Sequence, residues 1–370
     1  MHPLVRRIGA RAERLRLALT GERLTGLVSV SADTAHAVAE RYEGVSAETF
    51  RQRDGLSATV PKSLPEDRSD TIRPFEIVRE TAVFDVRHPD FFFSNGLMID
   101  PERRAFFAET ITESEVLGVN RHAPRHRRKV PGTVAYLSNT WVDNYYHWLQ
   151  LTVPMLEFYP PDVDFYYIGK SRLAAVQVAT LERLGIGPDR ILREPCRAER
   201  LLSAVILAPP QFHGMRYRDV WSHRFAREIF GAVPPVDGPR RLYVRRGAVR
   251  NRRIVNEPEM EAALARHGFV PVTMDGRSIR DQASLFAGAE AIVGAHGAAL
   301  TNILFTRPRT TVLEIFPAAV QEPGMFAVST HAQAHYGFLL GEDAGENGTD
   351  IHVPLPKLDR ALAMMGLASG

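Results

Sequence analysis

Four groups of residues have the types and spacing that chemistry on an anionic ligand requires. The first is Ala291–Phe305, an apolar strand that passes through Gly294-Ala295-His296-Gly297 into a helix. Glycines let backbone N–H groups come close to a ligand, and a helix start supplies unpaired donors. His296 falls at the carboxyl end of the strand, where open α/β sheets place their ligands. It can donate to a phosphate or leaving-group oxygen, or it can brace the turn. Thr301 and Asn302 follow in the first helical turn, in reach of the same phosphates. The second group is Arg240–Arg246, a strand ending in two arginines, with Arg250, Arg252 and Arg253 in the loop that leads to Asn256 and Glu257. A guanidinium is a planar fork of donors that matches phosphate oxygens. Some of these side chains face water; Arg245 is the first choice for a phosphate and Arg252 the second. The third is Glu314, inside the apolar run Val312–Phe316. A carboxylate at a strand end can grip ribose hydroxyls, and its alternative is a buried structural acid.

The fourth group is Trp141–Gln150, which contains Asp143, Asn144, Tyr146 and His147. Asp143 or Asn144 can cap a helix that begins here. Asn144 and His147 are three apart and share a face of its first turn. The positive end of the helix dipole lowers the pKa of a nearby histidine and keeps its imidazole neutral. A neutral imidazole can take a proton from a sugar hydroxyl; the alternative is a histidine bonded within the structure. Taken together, the four groups suggest a nucleotide diphosphate site.

Alternating β and α patterns position these residues. Thr133–Leu137, Phe165–Ile168 and Leu201–Leu207 read as strands, and Tyr145–Phe158, Leu173–Leu184 and Asp219–Phe230 as helices. Gly231–Pro239 holds three prolines and two glycines and reads as a linker. After it come strands at Leu242–Val244, Phe269–Thr273, Ala291–Val293, Val312–Phe316 and Tyr336–Leu340. Helices alternate with them at Glu257–His267, Ile279–Ala287 and Pro356–Met365. Strands alternating with helices over two segments predict an α/β protein with parallel sheets in two Rossmann-like domains. The expected divisions are a polar, irregular arm over 1–75, an amino-terminal domain over 76–235 and a carboxy-terminal domain over 236–370. A cleft between domains is the natural place for a ligand.

Composition excludes several other classes. The chain has 370 residues, 45% hydrophobic and 24% charged, as in a soluble globular protein. A net charge of +3 with no aromatic-interleaved basic run gives no support for nucleic-acid binding. The single Cys196 leaves no internal disulfide and no multi-cysteine metal site. Asp162-Val163-Asp164 has the spelling of a divalent-ion site but precedes a strand, at the wrong end for a ligand. His331 and His335 lack the glutamate of a His-Glu-x-x-His site. No window reaches the length of a membrane-spanning helix. The basic segment Met1–Leu19 reads as an arm or a packed helix, with peripheral membrane contact as its alternative. A cytoplasmic location, extending to the inner face of a membrane, is the expectation.

The Asn144–Trp148 segment, the Arg245 strand end, Asn256-Glu257, Gly294–Asn302 and Val312–Phe316 resemble glycosyltransferase family 61, also called the DUF563 group. The resemblance covers about 130–320, and His296–Asn302 is its most specific part. It implies a GT-B-type fold and inverting, metal-independent transfer from a nucleotide sugar, commonly a UDP sugar, to a glycan or polysaccharide acceptor. It also implies that the donor lies mostly on the carboxy-terminal domain, with Asn144 and Tyr146 on the acceptor side, and that no cofactor is needed. A single displacement then takes His147 as base with Asp143 in reserve. Arg245, Arg252, Asn256, His296, Gly297, Thr301 and Asn302 hold the diphosphate side of the donor, and Glu314 the ribose. Bacterial members of the family take part in capsular polysaccharide synthesis. Two other readings stay open: a polysaccharide pyruvyltransferase-like enzyme, whose donor has no ribose, and a non-catalytic scaffold of the same fold.

Overall fold

The computed structural model of the chain describes residues 22–24, 26–30, 32–57, 61–69, 72, 76–94, 96–108, 122–138, 142–169, 172–207, 220–231, 233–247, 251–319, 321–345 and 349–368. The segment Met1–Leu19 lies outside them. Two compact units emerge, Met1–Gln52 with Val78–Gly214 and Arg53–Ile77 with Met215–Gly370.

The first unit is organised by a mixed ten-stranded sheet. Its strands are β1 (Gly26–Val30), β2 (Val45–Ser57), β3 (Glu76–Val86), β4 (Phe92–Ser94), β5 (Leu97–Ile99), β6 (Arg104–Ala108), β7 (Arg128–Tyr136), β8 (Phe165–Tyr167), β9 (Ile191–Leu192) and β10 (Cys196–Leu207). The order is β9-β8-β7-β10-β4-β5-β6-β1, with β3 pairing both β10 and β2. Only part of it is the parallel sheet expected. β7 runs parallel to β8 and β10, whereas β10 meets β3 and β4 antiparallel. The reason lies in the connections. β4 and β5 are joined by two residues, too few for the crossover that parallel strands need. The supposed irregular arm is also ordered over much of its length, as β1, the helix α1 (Ala32–Arg41) and β2. Phe84, Phe93, Val134, Tyr167 and Leu201 form its core.

The helical run expected over 145–158 is present in three geometries. One α-turn, α2 (Tyr145–His147), continues as a π-segment over Trp148–Thr152 and a 3-10 segment over Val153–Phe158. Pro154 has no N–H to continue an α-ladder, so the chain widens before it and tightens after it. The Val153 N–H reaches back five residues to the Trp148 carbonyl. Trp148 is fully buried and donates from Nε1 to Thr180 Oγ1 at 3.1 Å, which pins the run to α3 (Ala175–Arg183).

The second unit fits the open parallel pattern. Apart from a separate antiparallel pair, Glu342–Ala344 with Asp350–His352, its described strands are β11 (Arg241–Val244), β12 (Val270–Val272), β13 (Ala291–Ala295), β14 (Thr311–Phe316) and β15 (His335–Leu340). They are all parallel, in the order β12-β11-β13-β14-β15. The helices α4 (Val220–Phe230), α5 (Glu257–Arg266), α6 (Ile279–Gly288), α7 (Gly324–His331) and α8 (Leu355–Met364), with a 3-10 helix at Ala298–Phe305, complete the unit. Odd-numbered Tyr243, Val293, Leu313 and Leu339 pack with Met260 and Leu264 of α5 and Leu358 and Leu362 of α8. Period-2 alternation sends even-numbered residues to the opposite face. The strand order reverses direction between β11 and β13, which makes their carboxyl ends the switch point where such sheets bind ligands.

Gly231–Pro239 is an internal loop of this unit. Pro235 and Val236 lie against Gly288 of α6, so proline and glycine here serve a turn on the body. α4 also belongs here, with Phe230 edge-on to Phe305 at 5.9 Å. An early segment joins as well. Lys62 donates to the Tyr336 carbonyl at 3.1 Å and accepts from Phe338 N at 2.9 Å, extending β15. Lys357 Nζ donates to Asp67 Oδ1 at 2.5 Å, and Arg360 bonds Glu66.

Candidate functional site

The switch point of the second unit is where the chemistry-bearing residues gather. The strand β11 ends at Val244, and the next two side chains part company. Tyr243 and Arg245 follow the odd face: the Tyr243 hydroxyl bonds Glu257 Oε1 at 2.5 Å, and Arg245 makes two bonds of 2.5 Å to Glu261, one turn further along α5. Arg245 is therefore committed to a carboxylate of its own helix layer. Arg246 takes the other face. Its Nη1 donates to the His296 carbonyl at 2.5 Å and its Nη2 to the Asn251 carbonyl at 3.2 Å.

Gly297 is what lets the guanidinium lie there. A Cβ at this position would stand 1.7 Å from Arg246 Nη1 and 2.9 Å from Cζ. The backbone is extended at Gly297, with φ 170, so the glycine answers to close approach and not to handedness. Gly294 is similarly confined: a Cβ there would stand 3.1 Å from Leu300 and 3.3 Å from Val244. Among the described residues Arg246 has carbonyl partners but no carboxylate, and its buried Nε has no hydrogen-bond partner. Burial, with the like charge of Arg252, pushes its pKa down to about 10. Arg252 sits in the left-handed region at φ 60, a conformation that costs a non-glycine residue about 1 kcal/mol or more. Asp350 holds the loop in place: its Oδ1 accepts from Arg253 N at 2.9 Å and its Oδ2 from Arg253 Nη2 at 2.5 Å.

His296 is 4% exposed, and both ring nitrogens face carboxylates. Nδ1 lies 2.6 Å from Glu314 Oε1, and Nε2 lies 3.6 Å from Glu322 Oε2. The register explains the first contact, since Gly294 of β13 pairs with Glu314 of β14. The glycine leaves the neighbouring row open to a carboxylate. Tyr336 on β15 donates to Glu314 Oε2 at 2.6 Å, and Phe316 stacks on the imidazole with centroids 4.9 Å apart. Burial disfavours charge on His296 and Arg252 adds to that. Glu314, by its charge and its hydrogen bond, and Glu322 outweigh both, so the ring titrates above its ordinary range. Glu314 is fully buried with both oxygens engaged, which makes it the partner of His296 and not an open carboxylate for ribose.

Other sequence candidates have structural partners. Asn256 bonds both the carbonyl and the N–H of Val353, at 2.8 and 3.0 Å. Asn302 is buried and donates to Gln282 Oε1 at 2.8 Å on α6 and to the Ala299 carbonyl at 3.0 Å. Thr301 is buried beside it, its Oγ1 without a partner. In the first unit Asn144, not Asp143, caps α2. Its Oδ1 accepts from Tyr146 N at 2.9 Å and from His147 N at 3.4 Å. The ring of His147 meets Tyr146 edge-on at 5.5 Å. Asp164 precedes β8 and accepts from Thr133 N of the neighbouring strand β7 at 2.8 Å, at the amino end of β8. Arg246, Glu322 and Tyr336 were missed by the sequence reading. Strand alternation from Tyr243 could have separated Arg246 from Arg245; nothing local marks the other two.

Residues 145–313 match the Glycosyltransferase 61 family. The matched span contains α2, Arg246, His296 and Gly297, and ends within β14. Protein O-linked-mannose beta-1,4-N-acetylglucosaminyltransferase 2 of Canis lupus familiaris, Pan troglodytes and Homo sapiens is similar to this chain, 38% identical over 73 residues. That stretch is 19% of this chain and 13% of each relative, so the alignment spans only a small part of either protein. The family match bears out the resemblance read from the sequence, and both comparisons support a glycosyltransferase. No helix among the described residues is long and apolar enough to cross a membrane.

Proposed function

We propose that the protein is an inverting glycosyltransferase that moves a sugar from a nucleotide sugar, most simply a UDP sugar, to a glycan acceptor without a metal. One observation carries this reading: a buried guanidinium, Arg246, held at the switch point beside a second cation, Arg252, with no carboxylate among the described residues to neutralise it. Like charges brought together out of water are costly unless an anion joins them. A departing diphosphate is that anion. The N–H groups at the start of the 3-10 helix after Gly297 add donors on the same side. Such fixed donors stabilise charge that develops on a leaving group, the work a metal ion does elsewhere.

Arg246 therefore replaces Arg245 as the first diphosphate ligand, with Arg252 second. The base for the acceptor hydroxyl is assigned to His147, with Asp143 in reserve and Asn144 and Tyr146 as acceptor contacts, because this helix start opens the family match. A GT-B arrangement, a polysaccharide acceptor of capsular type and a cytoplasmic site of action, with membrane contact through Met1–Leu19, belong to the same proposal. UDP titrated by calorimetry into wild type, Arg246→Ala and Arg245→Ala tests it. A weakened Kd in Arg246→Ala with an unchanged one in Arg245→Ala supports the assignment; the reverse pattern, or no UDP binding at all, overturns it.

A further inference from the structure

We propose that His296 is the general acid of the transfer, delivering its Nε2 proton to the departing diphosphate oxygen, with Glu314 as the positioning residue that holds the ring for that step. The inference rests on the transferase reading and adds a proton transfer to it. Three geometric facts support it. Glu314 accepts from Nδ1 at 2.6 Å, which fixes the ring's orientation, keeps one proton on Nδ1 and favours the imidazolium, whose second proton is the one on Nε2. Tyr336 holds the other Glu314 oxygen at 2.6 Å, so the carboxylate cannot rotate away. Phe316 stacked on the ring fixes its plane, Arg246 is bonded to the backbone carbonyl of the same residue, and the charge of Arg252 acts on the imidazole, so the ring belongs to the same cluster as the cations assigned to the diphosphate.

The step balances as follows. The bond between the anomeric carbon and the diphosphate oxygen breaks and its electron pair stays on that oxygen, which takes the Nε2 proton. The acceptor oxygen bonds to the anomeric carbon and its proton passes to the base. His296 is left neutral and regains a proton from solvent. Glu322, whose side chain is 64% exposed and stands 3.6 Å from Nε2, is the group through which water reaches the ring. The charged groups that face the imidazole are Glu314 from β14, Glu322 from the segment before α7, and Arg252 from the loop after β11, with Arg246 bonded to the residue's backbone carbonyl. The two carboxylates favour the protonated ring and Arg252 opposes it.

The test has two parts. In protein carrying ¹⁵N-labelled histidine, the His296 ring is titrated by NMR in wild type, Glu314→Gln and Glu322→Gln. The pH dependence of kcat with a panel of UDP sugars is then measured in the same proteins and in His296→Asn. The expected wild-type profile falls on the alkaline side as His296 loses its proton. Glu314→Gln moves both the NMR titration and that limb to lower pH, and the exposed Glu322→Gln does so by a smaller step. His296→Asn lowers kcat on the order of a hundredfold or more while UDP affinity changes less. Should Glu314→Gln fail to fold, Glu322→Gln still decides. An alkaline limb that stays put while the NMR titration moves, or full turnover in His296→Asn, overturns the proton transfer. Absence of turnover in wild type with every nucleotide sugar, the titration behaving as described, overturns the transferase reading instead.

Discussion

The Gly297→Ala substitution isolates the contact on which the anion site depends. The backbone there is extended, and alanine adopts that conformation without strain. The added methyl would sit 1.7 Å from Arg246 Nη1, so the guanidinium must retreat by more than an ångström. It then loses its 2.5 Å bond to the His296 carbonyl. A hydrogen bond from a charged group contributes about 1.5–3 kcal/mol. If the same displacement removes the arginine from the diphosphate, each 1.4 kcal/mol is a factor of ten, so UDP affinity should fall roughly ten- to a hundredfold. Calorimetry on Gly297→Ala, Arg246→Ala and the double variant measures this. Because both changes act through one guanidinium, the double variant should bind no more weakly than Arg246→Ala alone, a coupling as large as the single effect. Wild-type affinity in Gly297→Ala, or fully additive losses, would refute the reasoning.

Two further outcomes follow from the same coordinates. His296 titrates above its unfolded value, so the stability it contributes is complete below about pH 6.5 and is lost as pH rises through its folded pKa. Chemical denaturation of wild type should show that decline in the alkaline direction, and in Glu314→Gln the decline should flatten. Asn144→Ala removes the side chain that caps α2 and should cost about 1 kcal/mol, read as a lower denaturation midpoint with an unchanged slope.

The second unit was largely legible because its strands are short, apolar and separated by helices. Each expected strand of that unit has a counterpart within one or two residues. The first unit was less so, because its long polar-apolar strands β2 and β3 carry charges that mask the alternation, and because antiparallel pairing of β3 and β4 with β10 is not written in any local pattern. His296 was found from its turn, yet its partner Glu314 is eighteen residues away. Only sheet register, which pairs Gly294 with Glu314, turns that separation into a hydrogen bond. Tyr336 and Glu322 enter for the same reason, through neighbouring strands and a loop. Arg245 and Arg246 differ by a single residue, and the period of a strand decides which faces α5 and which faces the ligand side. Pro154 was visible, but its conversion of a helix into π and 3-10 turns depends on how Trp148 is anchored.

The docking of residues 61–69 onto β15 and α8 has a bearing on how this molecule comes into being. Asp67 and Lys357 are 290 positions apart. During synthesis the early stretch must therefore wait, undocked, until β15 and α8 have left the ribosome, and contacts of such span slow the search for the native arrangement. A fragment cut out from residue 215 onward would present the flank of its outermost strand bare, inviting self-association. Workers who want that half alone would do better to graft the early stretch back on by a linker than to trim.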